Sequence, residues 1–395
     1  MLAGREEILG DFEVALEEGL GSPGRAALFT GLRGSGKTVL LNALEGRAHE
    51  RGWAVISVTT RPGVAGEIAQ TQIPALLAQH HPGGATESVV TGGNASVAGF
   101  GGGLTREQRD RFPVEASLRS GLTALADVMA ARDAGVLITV DELGTDGARD
   151  LQEITQVVQH CFREGREVAF VAAGLPSQVS PLLSAPGTTF LRRAEQAHLG
   201  QVSDADVAAA IRGPIVHGAK TIPDEALRAA ARATQGYPFM VQLVGYHSWR
   251  AARGVDTVTA EHVEEGVQAA ARRVGRLVHE PALSELSGID RSFLTAMARD
   301  EGPSRVRDVA DRLGVGGSYA SVYRARLINA EMIYAPGWGV VDFTLPSMRE
   351  YLREHAVTEL AMDTPRPRLA ASEETERRHD WPSPTPGQPP PDPYQ

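Results

Sequence analysis

The sequence GLRGSGKT, which begins at Gly31, most limits the folds open to this chain. An apolar run, Ala26–Thr30, precedes it, and the apolar spacing of a helix follows from about Lys37. Gly31, Gly36, Lys37 and Thr38 fit the pattern G-x-x-x-x-G-K-[ST] between a strand and a helix. Glycines let the turn wrap its N–H groups around a phosphate, and the helix N-terminus adds partial positive charge. The motif therefore predicts a nucleotide-binding P-loop, with a chance glycine-rich turn as the alternative.

The residue types in this motif have separate tasks. The lysine reaches the β- and γ-phosphates, and the hydroxyl at the next position supplies an oxygen ligand to Mg²⁺. We therefore expect ATP and Mg²⁺ as cofactors, with Lys37 in the catalytic site and Thr38 as a metal ligand. The predicted nucleotide contacts of the loop are Gly31, Gly34, Ser35, Gly36, Lys37, Thr38 and Val39.

The segment GVLITVDELG supplies candidate carboxylates. Val136–Val140 is a continuous apolar run, typical of a strand that is buried on both faces. Asp141 and Glu142 follow at its carboxyl end, where the ligands of open α/β sheets collect. We expect Asp141 to hold Mg²⁺, directly or through water, and Glu142 to orient or deprotonate the attacking water. An ordinary charged strand end is the alternative, and the P-loop motif weighs against it.

Residues 1–200 alternate between apolar runs and helical patterns, which is typical of a parallel sheet covered by helices. The predicted strands are Ala26–Thr30, Ala54–Thr59, Val136–Val140, Val168–Ala172 and Ala197–Leu199. The predicted fold class is therefore α/β, a P-loop NTPase with a parallel sheet in its core. Residues 81–104 interrupt the alternation with a glycine-rich segment, which is either an inserted hairpin or flap, or a plain loop.

Three further segments follow this core. Residues 201–280 are alanine-rich with a helical period, which predicts a helical lid domain. Residues 283–356 combine two helical patterns, a glycine-rich turn, a third helix and a hairpin, which predicts a winged-helix domain. Residues 364–395 are proline-rich and polar, a composition typical of disordered segments.

Two pairs of residues are weaker candidates for the nucleotide site. Arg192 and Arg193 precede the last predicted strand, where one could contact the γ-phosphate of a neighbouring subunit. Solvated surface arginines are the alternative. Tyr237 and Pro238 stand at a predicted helix start, where the turn could close over the nucleotide base, or could simply join two helices.

The third helix of the predicted winged helix stands where such proteins place a DNA-reading helix. Its outward face is expected to carry Ser318, Ser321, Val322 and Ala325, with Arg326 at the rim and Ala320, Tyr323 and Leu327 facing the core. Small side chains make few contacts to base edges, so contacts with duplex DNA through residues 316–343 would be mainly with its backbone. From Leu283 to Glu354 there are nine arginines and ten acidic residues, a net charge of −1. DNA binding and protein contact both remain open.

Six segments, followed by the predicted winged helix, resemble the origin-recognition-complex-like and archaeal-type P-loop ATPases at the border of the AAA+ and STAND branches. The segments are GREEI, GLRGSGKT, LITVDE, FVAAGLP, FLRRAE and GYPFMVQLVG. The resemblance covers about residues 1–356 and implies an ATPase core, a lid and a winged helix whose arrangement follows the nucleotide state. It also implies that Arg5, within GREEI, lies near the adenine.

Two departures from that family concern catalysis. The fourth strand ends in Ala172-Ala173-Gly174, where AAA+ proteins usually carry a polar sensor residue. Tyr-Pro-Phe-Met follows Gly236, where a lid arginine is frequent. We therefore expect slow hydrolysis, which favours a switch over a motor.

Composition limits the remaining possibilities. The chain has 395 residues and a net charge of −10, which is not typical of a nucleic-acid-binding protein. Its single cysteine, Cys161, excludes an internal disulfide framework and is expected to be a small buried residue. We find neither an apolar run near the ~20 residues of a membrane span nor a signal-peptide pattern, and expect a cytoplasmic protein without membrane contact.

The first hypothesis is an ATP-dependent molecular switch that binds ATP and ADP. The alternatives are an ATP-regulated DNA-binding protein, of origin-recognition or transcriptional type, and a STAND signalling or defence protein. The last would assemble on a protein partner or as a nucleotide-dependent homo-oligomer. A metabolic enzyme is disfavoured, because no second catalytic constellation is present in the sequence.

Overall fold

A computed structural model describes residues 3–19, 21–80, 86–89, 107–110, 117–184 and 189–359. The chain divides into a first compact unit, Met1–Glu354, and a second, His355–Gln395. The predicted disordered tail, residues 364–395, lies outside the described residues. None of the helices within the described ranges is long and apolar enough to cross a membrane.

Helices and strands alternate through the first part of the chain. The helices are α1 (Glu6–Glu18), α2 (Lys37–Glu50), α3 (Val64–Glu67), α4 (Ile73–His80), α5 (Leu118–Ala130), α6 (Ala148–Arg163), α7 (Pro176–Ser184), α8 (Asp204–His217), α9 (Asp224–Ala233), α10 (Pro238–Ala251), α11 (Ala260–Val274), α12 (Glu280–Ser284), α13 (Gly288–Met297), α14 (Val306–Leu313), α15 (Gly317–Asn329) and α16 (Met348–Glu359). The strands are β1 (Ala26–Thr30), β2 (Ala54–Thr59), β3 (Thr86–Val89), β4 (Glu107–Asp110), β5 (Val136–Leu143), β6 (Val168–Gly174), β7 (Glu195–His198), β8 (Ser304–Arg305), β9 (Ile333–Gly337) and β10 (Val340–Phe343). Wider helical turns, Ile68–Gln72 and Gly275–His279, join α3 to α4 and α11 to α12.

Local sequence explains where several helices begin. Ser203 precedes α8, and its hydroxyl accepts a hydrogen bond from the backbone N–H three residues later, as Ser287 does before α13. Thr259 precedes α11 in the same way. Pro238 is the first residue of α10, a position where its missing N–H costs nothing.

The sheet of the core has five parallel strands in the order β2-β5-β6-β1-β7, which confirms the fold class predicted from the alternating pattern. β1 lies between β6 and β7, so that Thr30 is opposite both Gly174 and His198. The carboxyl ends of β1, β5 and β6 meet at one edge of the sheet. This edge brings the glycine-rich loop beside the acids that follow Val140.

Three strands differ in their bounds from the sequence expectation. β6 continues to Gly174 rather than ending at Ala172. β5 continues past Val140 to Leu143 through an irregular register that contains the two candidate acids. β7 spans Glu195–His198 rather than Ala197–Leu199. It pairs with β1 at the end of the strand order, and three of its four residues are exposed, so its side chains do not need to be apolar.

Three clusters of buried apolar side chains hold the first unit together. In the first, Leu28 and Phe170 are fully buried between the sheet and its covering helices. A second cluster lies among α8, α9, α10 and α11, around Val244. The third surrounds Phe293 of α13. Each fully buried side chain of this size contributes about 1.5–3 kcal/mol to folding.

The terminal part of the first unit combines α13, β8, α14 and α15 with the β9–β10 hairpin. Its strands form an antiparallel sheet in the order β8-β10-β9. This element order agrees with the predicted winged helix, in which β9 and β10 would be the wing, and the winged helix stays a prediction. After that prediction, we refer to residues 283–352, which contain the apolar cluster around Phe293, as the winged-helix unit.

The third helix of this unit, α15, buries one face. Ala320 and Leu327 are fully buried, as expected. Tyr323, also expected in the core, is only half-buried, because its ring packs on Tyr319 at the surface, with centroids 4.7 Å apart. The expected outward residues are all exposed: Ser318, Ser321, Val322 and Ala325.

The predicted insert, residues 81–104, lies mostly outside the described residues. β3 belongs to it, whereas its antiparallel partner β4 follows the predicted end of the segment. The antiparallel pairing of these two strands agrees with an inserted hairpin. The choice between an inserted hairpin or flap and a plain loop stays a prediction for the remaining residues of the segment.

Candidate nucleotide site

The loop between β1 and α2 has the backbone that a phosphate cradle requires. Gly34 and Gly36 have φ angles of 75° and 93°, in the left-handed region that favours glycine. Gly36 immediately precedes α2, so the free N–H groups of the first helical turn face the loop. A Cβ atom at Gly34 would lie 2.3 Å from the Tyr237 hydroxyl oxygen, so packing also excludes a side chain there.

The Lys37 ammonium lies against the same loop. It donates hydrogen bonds to the carbonyl oxygens of Gly31 and Leu32, both at 2.8 Å. Burial lowers the pKa of Lys37 below its ordinary value, and nearby carboxylates, the first of them Asp141, oppose this shift. The cation therefore lies beside the loop, where a phosphate would accept stronger, charge-assisted hydrogen bonds than these carbonyls do.

Ser35 supplies a test of whether the loop fits a nucleotide. The residue is 5% exposed, and its hydroxyl oxygen has no hydrogen-bond partner among the residues that the structure describes. A buried hydroxyl without a partner costs free energy, so a hydrogen bond with the Ser35 hydroxyl would stabilise a polar ligand in the loop. Ser35, the two left-handed glycines and Lys37 together fit a bound phosphate group.

The two predicted metal ligands meet directly. Thr38 Oγ1 donates to Asp141 Oδ2 over 2.6 Å, although the residues are 103 positions apart in the chain. The other carboxylate oxygen of Asp141 accepts a hydrogen bond from the Glu142 N–H at 2.8 Å, which orients the carboxylate. A hydroxyl and a carboxylate oxygen suit Mg²⁺, which takes its remaining ligands from water and phosphate. These residues fit the expected metal.

Glu142 has a strained backbone beside this pair. Its φ angle is 52°, and it lies within the irregular register of β5. A residue with a side chain costs about 1–2 kcal/mol in this region, and such strain is frequent at functional sites. Glu142 lines the same cavity as Lys37 and Thr38, so a water molecule bound there could contact its carboxylate.

An apolar and a more polar cavity adjoin each other at the loop. An apolar cavity of about 550 Å³ lies against α8 and α10, and its polar lining includes Arg5 and Ser35. A more polar cavity of about 720 Å³ contains Lys37, Glu142 and the end of β6. Both are lined by Gly36, Val39, Pro238 and Gln242. A nucleotide could therefore place its base in the apolar cavity and its phosphates in the polar one.

The predicted base contacts divide into two groups. Arg5 lines the apolar cavity, where it donates to the Gly200 carbonyl oxygen, and burial lowers the pKa of its guanidinium. Pro238 lines both cavities. Tyr237 lines neither, because its hydroxyl donates to the Arg33 carbonyl oxygen at 2.7 Å and its ring is buried against the loop. Tyr237 therefore supports the loop rather than the base.

Arg192 and Arg193 lie apart from both cavities. They end the short turn before β7, at the amino end of the sheet, whereas the glycine-rich loop lies at its carboxyl end. The Arg192 guanidinium donates to the Leu183 carbonyl oxygen. The structure does not bring these arginines to the site of their own chain, and a contact with another copy stays a prediction.

Two glutamines that the sequence analysis did not single out line the site. Gln178 on α7 lines the polar cavity, and Gln242 on α10 lines both cavities. Gln242 follows Pro238 by one helical turn, so helix periodicity could have identified it. Gln178 gave no comparable signal, because its position depends on how α7 packs after β6.

Two of the expected DNA-backbone contacts of α15, Arg326 and Ser321, have partners within the chain. The Arg326 guanidinium pairs with the Asp290 carboxylate at 2.7 Å, and the Ser321 hydroxyl donates to the Gly317 carbonyl oxygen at 2.9 Å. Asp290 is 3% exposed, and a buried carboxylate requires a partner of opposite charge. The Arg326 side chain is nevertheless 53% exposed, so its contact with a DNA phosphate stays a prediction.

Comparisons with known proteins extend these observations. A family model described as a domain of unknown function, DUF8462, matches residues 276–352. No curated protein matches the chain. The solved Walker-type ATPase PABY2304 of Pyrococcus abyssi is 16% identical, with a TM-score of 0.61, over 89% of this chain and 96% of that one.

Two more distant solved structures are each 16% identical to this chain, with TM-scores of 0.45. They are Cdc6p from Pyrobaculum aerophilum, over 91% of this chain and 96% of that one, and RuvB of Thermotoga maritima, over 89% and 95%. At such identity a likeness concerns only the fold. The parallel sheet, the glycine-rich loop after β1, the acids at the end of β5 and the likeness to the Pyrococcus abyssi ATPase together show that this chain has the P-loop NTPase fold.

Proposed function

We propose that this protein is an ATP-dependent molecular switch of the AAA+ or STAND type. It binds ATP with Mg²⁺, hydrolyses it slowly, and couples the nucleotide state to the arrangement of its lid and winged helix. The observation that carries the proposal is the Thr38–Asp141 contact of 2.6 Å beside Lys37, in cavities that α10 also lines. Core and lid would therefore hold the same nucleotide.

Binding would use the two cavities together. The adenine and ribose would lie in the apolar cavity, near Arg5 and Pro238, and the phosphates would follow the loop past Lys37. Ser35 and the N-terminus of α2 would donate hydrogen bonds to phosphate oxygens. Mg²⁺, when bound by Thr38 and Asp141, would neutralise phosphate charge.

Hydrolysis would depend on Glu142 to orient or deprotonate the attacking water. Ala172 and Ala173, near the carboxyl end of the buried strand β6, offer no polar side chain for a second contact with that water. Gln178 is the amide nearest in sequence to this strand end that lines the polar cavity. The shortage of polar groups supports slow turnover, as a switch requires.

The binding step is tested with Lys37→Ala. Isothermal calorimetry with ATP and Mg²⁺ should give saturable heat for the wild type and none for the variant, because the cation beside the phosphates is lost. Lys220→Ala is the matched control, since Lys220 is the other lysine of the chain and lines neither cavity. Equal affinity in the wild type and Lys37→Ala would refute the site.

The hydrolytic step is tested with Glu142→Gln, measured as phosphate release under single-turnover conditions. We expect a rate about 10²–10⁴ lower, the usual contribution of a positioned base, with ATP affinity retained. Glu153→Gln, on an exposed position of α6, is the control for loss of one carboxylate. An undiminished rate in Glu142→Gln would remove Glu142 from this role.

Binding to duplex DNA is the alternative that the described residues support less. The exposed face of α15 consists of small side chains, and Arg326 is paired with Asp290. Mobility shifts on duplex DNA with ATP or ADP, across a salt series, separate the two functions. Binding with a steep salt dependence that disappears on deletion of residues 283–395 would favour DNA.

A further inference from the structure

One carboxylate of the winged-helix unit contacts the ATPase core. Glu331 Oε1 accepts a hydrogen bond of 2.7 Å from the backbone N–H of Ser177, which is 154 residues away in the chain. Ser177 is the second residue of α7, so the carboxylate lies at the N-terminus of that helix. A negative charge is favourable there, because it interacts with the free N–H groups and the helix dipole.

The N-terminus of α7 is also one wall of the phosphate cavity. α7 follows directly on β6, whose last residue, Gly174, accepts a hydrogen bond of 3.3 Å from the Gly31 N–H of the loop. Gly174, Leu175 and Gln178 line the polar cavity together with Lys37. Since the base is proposed to lie in the apolar cavity, which the end of β6 and α7 do not line, the third phosphate of a nucleotide would extend towards this wall.

The charge of Glu331 lies next to this cavity. Its carboxylate contacts Ser177, and Leu175 and Gln178, before and after Ser177 in the chain, both line the polar cavity. The acids at the predicted metal and water positions, Asp141 and Glu142, line the same cavity. Glu331 adds a further carboxylate beside it, and this one comes from the winged-helix unit.

The backbone at Glu331 is not one that a glutamate prefers. Its φ angle is 57°, in the left-handed region, where glycine or asparagine would be less strained. Met332 and Ile333, the next two residues, are buried in the winged-helix core and hold the turn in place. The conformation of the turn therefore does not explain why residue 331 is a glutamate, whereas the contact of its carboxylate with Ser177 does.

We propose that Glu331 determines nucleotide specificity, because its carboxylate disfavours a γ-phosphate beside α7 while tolerating a diphosphate. This inference rests on the proposed nucleotide site and deepens it. A third phosphate brings negative charge to the wall where Glu331 already lies, so triphosphate binding and the Glu331–Ser177 contact oppose each other. Linkage then requires that triphosphate weaken the contact by the same factor by which the contact weakens triphosphate binding.

The test is Glu331→Gln, which removes the charge and keeps an oxygen that can accept the Ser177 hydrogen bond. Calorimetry in the presence of Mg²⁺ measures affinity for ADP and for AMP-PNP, a triphosphate analogue that resists hydrolysis. We expect AMP-PNP to bind about fivefold or more tightly to the variant than to the wild type, within the usual range of coupling between sites, and ADP affinity to stay within about twofold. Glu350→Gln, an exposed carboxylate on α16, should change neither affinity.

The outcomes separate this inference from the proposed function. An unchanged ratio of the two affinities in Glu331→Gln, or an equal change in both, overturns the role of Glu331 while the nucleotide site stands. A wild-type protein that binds neither nucleotide overturns both. Thermal unfolding of each variant shows that it is folded before its affinities are compared.

Hydrogen exchange at the Ser177 amide gives a second, independent readout. This N–H donates to Glu331, so its protection reports on the contact itself. We expect lower protection with AMP-PNP than with ADP in the wild type, and no such difference in Glu331→Ala. Equal protection of the wild type with both nucleotides would contradict the opposition between the γ-phosphate and this contact.

Discussion

Replacement of Gly34 by alanine tests how closely α10 and the preceding Tyr237, which belong to the predicted lid, pack on the glycine-rich loop. The φ angle of 75° costs a residue with a side chain about 1–2 kcal/mol. The added Cβ atom would lie 2.3 Å from Tyr237 Oη and 3.1 Å from Phe239 Cβ, so the lid would have to move. Overpacking of this kind costs typically about 1–3 kcal/mol. Together these effects should lower the free energy of unfolding by about 2–5 kcal/mol.

Gly63 provides a control with the same backbone. Its φ angle is 85°, and an added Cβ atom would meet nothing within 4 Å. Gly63→Ala should therefore lose only the conformational part, about 1–2 kcal/mol. Urea denaturation followed by circular dichroism compares the two variants, and titration with ADP and Mg²⁺ should show weaker binding only for Gly34→Ala.

A double mutant separates the clash from the strain. In the Tyr237→Ala background the hydroxyl oxygen nearest to the new Cβ atom is absent, so Gly34→Ala should cost less than it does with tyrosine present. Equal destabilisation by Gly34→Ala and Gly63→Ala in the wild-type background, or no coupling with Tyr237, would refute the idea that the lid packs tightly against the loop.

The remaining predictions concern two buried groups of the core. Arg25→Ala should lower the free energy of unfolding, measured in urea, by about 3–5 kcal/mol. The reason is that the Arg25 side chain is 4% exposed, pairs with Glu167 and donates to two carbonyl oxygens. Arg47→Ala, at the surface, should cost less than about 1 kcal/mol. Equal losses would contradict this reasoning. Burial raises the pKa of the Cys161 thiol to about 11 from 9.0, so at pH 8 iodoacetamide should label the protein only after it unfolds. Because the thiol is harder to deprotonate in the folded state, the fold is more stable relative to the unfolded chain below pH 9 than at pH 11. The free energy of unfolding of Cys161→Ala should lack this decrease between pH 9 and 11. Labelling of the native protein at the rate of the unfolded protein would contradict the burial of Cys161.

The nucleotide loop illustrates what local sequence can predict. The strand Ala26–Thr30, the turn glycines and the helix from Lys37 follow from residues that are adjacent in the chain. The alternating pattern likewise predicts a parallel sheet with Asp141 at its carboxyl edge, because parallel strands share one direction. Buried strands were easier to predict than β7, whose exposed side chains give no apolar run.

Contacts between distant segments were harder to predict. Tyr237 was expected near the base and instead supports the loop through Arg33, since its position depends on how α10 packs. The pairing of Arg326 with Asp290 could not be predicted from the helical periodicity of α15, because Asp290 belongs to α13. Gln178 lines the polar cavity because α7 begins beside the glycine-rich loop, which the sequence around Gln178 does not indicate.

By itself the sequence determined the chemistry of the predicted phosphate site: the glycines, the lysine, the hydroxyl and the following acids each belong to a local motif or a strand end. Only the tertiary structure decided which groups share the site. It brought Thr38 within 2.6 Å of Asp141, placed Tyr237 against the loop, and set Glu331 of the winged-helix unit at the N-terminus of α7. The physical reason is that motifs describe adjacent residues, whereas these contacts depend on the packing of whole helices and sheets against one another.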